Sequence, residues 1–177
     1  MSELVQLSTA EVPTATLDEV RGLLDHAFDG DFADTDWEHT VGGQHVILVE
    51  EGEVISHASV VTRNLEVADR SFRAGYLEGV ATHPEHQGKG FGAQVVTAAN
   101  EAIRRLYELG ALSTDRHSFY HRLGWERWQG PTYVRDGSRL VRTADEDDGI
   151  MVLRFGPSGA VDLTSALACD ARSGDDW

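Results

Sequence analysis

The stretch FRAGYLEGVATHPEHQGKGFGAQVVTAANEAIRRLYELG, residues 72–110, decides how the chain is read. Up to Thr82 it has the β-branched and aromatic content of a strand, closed by Pro84, which has no N–H to give a ladder. After the glycine-rich turn EHQGKGFG, the residues Val95, Val96, Ala99, Ile103, Leu106 and Leu109 recur at helical intervals, with Gly110 placed to cap the helix. A helix start carries unpaired N–H groups and the positive end of the dipole, so it attracts anions, and glycines let phosphate oxygens approach the main chain. Gln87, Gly88, Lys89, Gly90, Phe91 and Gly92 are therefore the candidate phosphate cradle, with Lys89 adding a charge. A glycine-rich string alone also serves as a plain tight turn. The spacing excludes two better-known loops. A Walker A loop needs Ser or Thr after Gly-Lys, where this chain has Gly90, and glycines at 88, 90 and 92 do not fit G-x-G-x-x-G.

Working outward, TLDEVRGLLDHAF (16–28) reads as an amphipathic helix, with Thr16 and Glu19 at capping-box spacing and Gly30 ending it. DFADTDWEHTVGG follows as a loop with a short helical turn, crowding carboxylates around two aromatics. QHVILVE (44–50), a Glu51-Gly52 turn and VISHASVVTRNLEV (54–67) read as a β-hairpin. Beyond Gly110, ALST reads as a short strand, RHSFYHRLG as a short helix ending at Gly124, and WERWQGPTYVR (125–135) as one strand. The acidic turn ADEDDG, a strand IMVLRF and a final turn around SALACD complete the chain. This order lacks the regular βαβ alternation of a doubly wound sheet. It predicts an α+β (mixed α/β) fold with antiparallel N-terminal strands, and 177 residues fit one domain, 1–177.

Charge narrows the partners. The net charge is −15, and it is uneven: residues 1–62 carry 13 acidic side chains against Arg21 alone, 63–142 carry 9 against 12 basic, and 143–177 carry 8 against 2. Such a chain repels nucleic acid and anionic membranes, while its acidic ends suit a cation and its mildly basic middle an anion. Acidic residues that merely keep a surface solvated are the plain alternative. No run of about 18 apolar residues and no signal-peptide start is found, so a cytoplasmic protein is expected. The single cysteine, Cys169, sits in a context read as apolar and helical, and is expected to be buried rather than reactive. His83 with His86, and His117 with His121, lack a third ligand at recognisable spacing, so no metal is expected.

Gln87, Gly90 and Gly92 match the Q/R-x-x-G-x-G/A signature of the GNAT superfamily of N-acetyltransferases, which the chain resembles with the strand and helix in the required places. The segments FDGDFADTDWEHTVGG, GYLEGVATH, LYELGALS, YHRLGWERWQGPT, the DEDDG turn and the terminal GDDW are similar to the aminoglycoside 2′-N-acetyltransferases of actinobacteria. The match runs from near residue 16 to the last residue; the stretch between Ser113 and Tyr120 is shorter than the family pattern. The resemblance implies acetyl-CoA as cosubstrate, its pyrophosphate on residues 87–92, and Val80 as the N–H donor to the thioester carbonyl. It implies Glu78 as the group that takes the ammonium proton, directly or through water, or that binds the cation. Tyr120 would be the acid that protonates the departing thiolate. It further implies that Asp31, Asp36, Glu78, Gly79, Ser113, Asp147, Asp175 and the terminal carboxylate of Trp177 contact the amino and hydroxyl groups of a cationic aminoglycoside, so that extending the C-terminus would impair activity. A homodimer is expected from the resemblance. Two other readings stand beside this one, and the acidic residues fit the first of them equally well. One is acetylation of an intrinsic amine such as a cell-envelope amino sugar; the other is a catalytically silent acyl-CoA-binding module, against which Glu78 and Tyr120 argue.

Overall fold

The computed structural model describes residues 2–177, and its first elements are β1 (Ser2–Ser8), α1 (Thr14–Ala27) and α2 (Asp34–Thr40). Three strands follow, β2 (Gln44–Glu50), β3 (Glu53–Val67) and β4 (Arg70–Thr82), then α3 (Phe91–Leu106), β5 (Leu109–Ser113) and α4 (His117–His121). The chain closes with β6 (Glu126–Arg127), β7 (Thr132–Asp136), β8 (Arg139–Arg142), β9 (Ile150–Leu153) and β10 (Leu167–Asp170). The hydrogen-bonded strand order is β6-β9-β5-β4-β3-β10-β7-β8, with β2 also on β3 and β1 on β2. β4 with β5 and β7 with β10 are parallel; the N-terminal pairs β1 with β2 and β2 with β3 are antiparallel. The mixed α/β fold with antiparallel N-terminal strands is the one expected.

Contacts gather the chain into two compact units. One holds the residues up to Val61 with Leu77–Ala102, the other Thr62–Tyr76 with Ile103–Trp177. In the first, α1 buries Val20, Leu23 and Leu24 against Val12, Ile47, Val54 and Ala81. Each fully buried aliphatic side chain of this kind contributes about 1.5–3 kcal/mol before entropy is counted. The helix starts earlier than the sequence suggested. Pro13, at φ −56°, is its N-cap without a side-chain bond, and its carbonyl accepts the Leu17 N–H at 3.0 Å. Thr16 therefore lies inside the helix and the capping box does not form.

In the second unit the fully buried Trp125, Leu109, Leu112, Ile150, Met151 and Leu153 form the core. Here Gly110 is a strand residue and not a helix cap. A Cβ on it would stand 2.8 Å from Leu153 Cβ and 3.1 Å from Trp125 Cη2. Past Tyr107 the chain leaves α3 as the Glu108 N–H turns to the Arg73 carbonyl at 3.0 Å, and the Arg73 guanidinium donates to the Leu106 carbonyl and lies 4.5 Å over the Tyr107 ring. The 125–135 segment is two strands, not one, because the Gln129 and Gly130 N–H groups turn to the Leu163 carbonyl (2.9 and 3.0 Å) and Pro131 has no N–H. The expected turn at SALACD is strand β10, parallel to β7 and antiparallel to β3, which puts Cys169 on a strand and not in a helix. Among the described residues no helix is long and apolar enough to cross a membrane.

Candidate active site

Three residues of the first unit's β4, Glu78, Gly79 and Val80, carry the first half of the candidate chemistry. Gly79 adopts φ +53°, and a Cβ there would meet Thr40 Cγ2 at 2.8 Å and Thr40 Oγ1 at 3.1 Å, so only glycine fits. The carbonyls around it are held by side chains of β3. Ser59 Oγ donates to Glu78 O (3.3 Å), His57 Nδ1 to Gly79 O (2.7 Å) and Ser56 Oγ to Ala81 O (2.9 Å). Ser56, His57 and Ser59 are fully buried, while Glu78, Gly79 and Val80 are half-buried. The recorded ladder of β4 with β5 covers Ala74 to Tyr76.

Further along the same unit, the Gln87 side chain donates to Thr82 O at 3.2 Å, and Gly88 and Gly90 take φ +74° and +85°. A Cβ at either glycine would meet nothing within 4 Å, so these glycines supply backbone conformation and open space and fill no packing need. Lys89 is exposed, and the Gly90 carbonyl accepts from Gln94 N at 3.1 Å, which sets α3 off directly from the loop. Gly88 through Gly92 thus present a helix N-terminus and left-handed glycines beside a lysine, a donor set that fits a pyrophosphate. Asp31 is exposed; Asp36 caps α2, its carboxylate accepting the Ala33 N–H at 2.8 Å.

The second unit holds the remaining candidates. Tyr120, on α4, is buried, with Phe119 at 4.9 Å and Trp125 at 6.3 Å edge-on to its ring. Burial pushes its phenol up to about 12, so it stays protonated at neutral pH. Ser113 ends β5, exposed, opposite Ile150. Asp147 and Trp177 are joined by one chain of bonds: Trp177 Nε1 donates to Thr143 Oγ1 (3.1 Å), Thr143 Oγ1 to Thr132 Oγ1 (2.9 Å), and Thr132 Oγ1 to Asp147 Oδ1 (2.9 Å). The paired Arg142 guanidinium, with the Thr132 N–H and hydroxyl, holds the Asp147 carboxyl down at about 2. The last residues are pinned as well. The buried Arg63 donates to the Asp170 and Asp176 carbonyls, and it and Arg172 lie 5.1 and 5.6 Å over the Tyr76 ring.

Sequence reasoning passed over Glu146, whose pKa is raised by burial and then by Asp175, Asp145 and Asp176. It also passed over His45 and His57, taken up below; a histidine inside each of two buried strand runs was the available signal. Among the described residues no group of His, Cys, Asp or Glu could hold a metal. His117 Nε2 donates to Asp148 O (2.7 Å), His83 stacks on His26 (5.6 Å), and His86 Nδ1 faces Glu50 Oε2 (3.4 Å). Cys169 is buried and its thiol is pushed up to about 11, so it is inert.

Strand β4, the glycine loop and the opening of α3 are the arrangement of one enzyme class, and residues 9–128 match the Acetyltransferase (GNAT) domain: the chain belongs to the GNAT acetyltransferases. Solved relatives share the fold. A GNAT N-acetyltransferase from Escherichia coli in complex with CoA superposes with TM-score 0.69 at 15% identity, covering 95% of this chain and 89% of that one. A probable N-acyltransferase from Enterococcus faecalis gives TM-score 0.61 at 15% identity over 72% of this chain, which spans only 33% of that longer one. Within the class the match is more particular: over 173 residues, 96% of this chain and 89% of the relative, the sequence is 39% identical to the aminoglycoside 2′-N-acetyltransferase of Mycolicibacterium fortuitum.

Proposed function

We propose that the protein transfers the acetyl group of acetyl-CoA to the 2′-amino group of aminoglycosides, in a direct reaction without an acyl-enzyme. The observation that carries this reading is the immobilised Gly79–Val80 peptide on the strand that leads into the glycine loop and α3. The identity with the Mycolicibacterium fortuitum enzyme supports the acceptor.

Acetyl-CoA supplies an activated thioester. In this reading Gln87, Gly88, Lys89, Gly90, Phe91 and Gly92 hold its pyrophosphate by main-chain N–H groups and the Lys89 charge. Val80 N–H donates to the thioester oxygen as negative charge develops there. Glu78 takes a proton from the acceptor ammonium, directly or through water, so that a neutral nitrogen attacks. As the carbonyl re-forms the C–S bond breaks, Tyr120 donates to the departing sulfur, and the second proton of the attacking nitrogen ends on the thiol. With a phenol near 12 against an ordinary thiol near 8.5, its first service is a hydrogen bond that strengthens as the thiolate forms. Asp31, Asp36, Gly79, Ser113, Asp147, Asp175 and the Trp177 carboxylate, with Glu146 added, bind amino and hydroxyl groups of the acceptor. Asp147 is held in its charged form by Arg142, which suits this role.

The protein works as one domain, in the cytoplasm, as a homodimer and without a metal; the net charge of −15 argues against nucleic acid and membrane surfaces as partners. The test is thiol release from acetyl-CoA with tobramycin, which bears a 2′-amine, and kanamycin A, which bears a 2′-hydroxyl. Turnover with tobramycin alone is expected. Equal turnover with both, or none with either while acetyl-CoA binds, would overturn the acceptor assignment.

A further inference from the structure

Two histidines on β2 and β3 are fully buried, and every one of their ring nitrogens has a partner. His57 Nδ1 lies 2.7 Å from Gly79 O, His57 Nε2 lies 2.9 Å from His45 Nδ1, and His45 Nε2 lies 2.8 Å from Thr9 Oγ1. The Thr9 hydroxyl in turn accepts the Gly42 N–H at 2.8 Å, and its own proton faces His45 Nε2 at 2.8 Å with the Gly43 carbonyl farther off at 3.3 Å. Chemistry fixes the direction of this chain. A carbonyl only accepts, so His57 Nδ1 carries the proton facing Gly79; a neutral ring then accepts at Nε2, so His45 donates from Nδ1 and accepts at Nε2 from Thr9. Burial keeps both rings neutral, at about 4 for His45 and about 3 for His57, so the direction persists at neutral pH. From Thr9 through His45 and His57, the three bonds of the chain point toward the Gly79 carbonyl.

That carbonyl shares a planar trans peptide with the Val80 N–H, which therefore points the opposite way, away from His57. A donor on the carbonyl side of an amide fixes the plane and makes its N–H a stronger donor, and successive bonds polarise one another. The Gly79 carbonyl is main chain, so His57 also satisfies an acceptor whose loss of its partner would itself destabilise the fold, and a readout other than stability is needed to see the relay. We propose that Thr9, His45 and His57 form a hydrogen-bond relay that orients and polarises the Gly79–Val80 peptide, making Val80 N–H a pre-aimed donor to the acyl oxygen. The histidines are positioning residues in this proposal, which rests on the acetyl-CoA reading above but not on the identity of the acceptor amine.

The test uses the full-length protein with [1-13C]acetyl-CoA bound, no acceptor added, and reads the thioester carbonyl by infrared and 13C NMR. In the wild type the carbonyl stretch falls and the 13C resonance moves downfield relative to free acetyl-CoA. His57→Leu reverses most of both shifts, while His57→Asn, whose amide N–H replaces Nδ1, restores them. With an acceptor, kcat falls about 10-fold to 100-fold in His57→Leu, less in His45→Leu and least in Thr9→Val, with KM for acetyl-CoA within about threefold. 15N NMR of the folded wild type shows both rings as Nδ1–H tautomers. Nε2–H tautomers, or a carbonyl signature in a folded His57→Leu equal to the wild type's, would overturn the relay. If tobramycin gives no turnover yet the carbonyl shift still depends on His57, the acceptor assignment falls and the relay stands. Failure of acetyl-CoA to bind would overturn both.

Discussion

Glycines 79 and 90 share a residue type and a left-handed backbone, φ +53° and +85°, yet their surroundings are opposite. Around Gly79 a methyl group would strike Thr40, and the adjoining carbonyls are tied to Ser59, His57 and Ser56; around Gly90 a methyl group would meet nothing within 4 Å. The first is a place where the peptide is fixed before any ligand arrives. The second is a place where main chain is left bare, and in the proposed reading the pyrophosphate lies there. An acetyl-transfer enzyme needs both: a preorganised donor for charge that appears only in the transition state, and a cradle for a charge present throughout.

The comparison breaks most visibly at its centre. Gly79→Ala is expected to lower kcat by about 10²-fold or more and to destabilise the fold by about 2 kcal/mol, through clash and positive φ together. Gly90→Ala carries only the left-handed backbone penalty, about 1–2 kcal/mol, and weakens acetyl-CoA binding more than it slows turnover. Thermal unfolding and steady-state kinetics on both variants check the pair; matching effects at the two sites would dissolve the contrast. Next in size, Tyr120→Phe should lower kcat about 10²-fold while acetyl-CoA affinity and unfolding temperature hold steady.

Smaller effects sharpen the loop side. Lys89→Ala should weaken acetyl-CoA about threefold to tenfold at low salt and less at high salt, since an exposed charge is screened. Titration calorimetry at two ionic strengths reads this.

The least effect concerns protons. Because the folded-state pKa of Asp147 is depressed to about 2 by Arg142, its contribution to stability is full above the ordinary carboxylate range near 4 and is lost as pH falls through about 2. Asp147→Asn should therefore flatten the acid limb of the stability curve measured by denaturant unfolding between those values. Glu146 moves the other way: its raised pKa means that tobramycin KM begins to climb on acidification earlier than an ordinary carboxylate would allow, and Glu146→Gln removes that early climb.

The glycine loop, the helix behind it and the hairpin before it were legible because periodicity and turn chemistry are local. Gly110 was misread because the contacts at the end of α3, Glu108 N–H on the Arg73 carbonyl and the Arg73 guanidinium on the Leu106 carbonyl, come from a residue distant in sequence. Strand β10 was read as a turn because Leu167, Ala168 and Cys169 have little strand character of their own and are held by β3 and β7 on either side. β1 went unread at a sequence start judged only for targeting signals. Glu78, Val80 and Tyr120 enter the proposed site through a family pattern. The His45–His57 pair was visible only as two polar letters in apolar strands, and its meaning depends on the pairing of β2 with β3 that sets the rings 2.9 Å apart.

The most direct test of the central claim is the position of the acetyl group on tobramycin after reaction with acetyl-CoA, assigned by two-dimensional NMR of the purified product. Acetylation at the 2′-nitrogen is the result this account predicts. A product acetylated at any other nitrogen, or on oxygen, would contradict it.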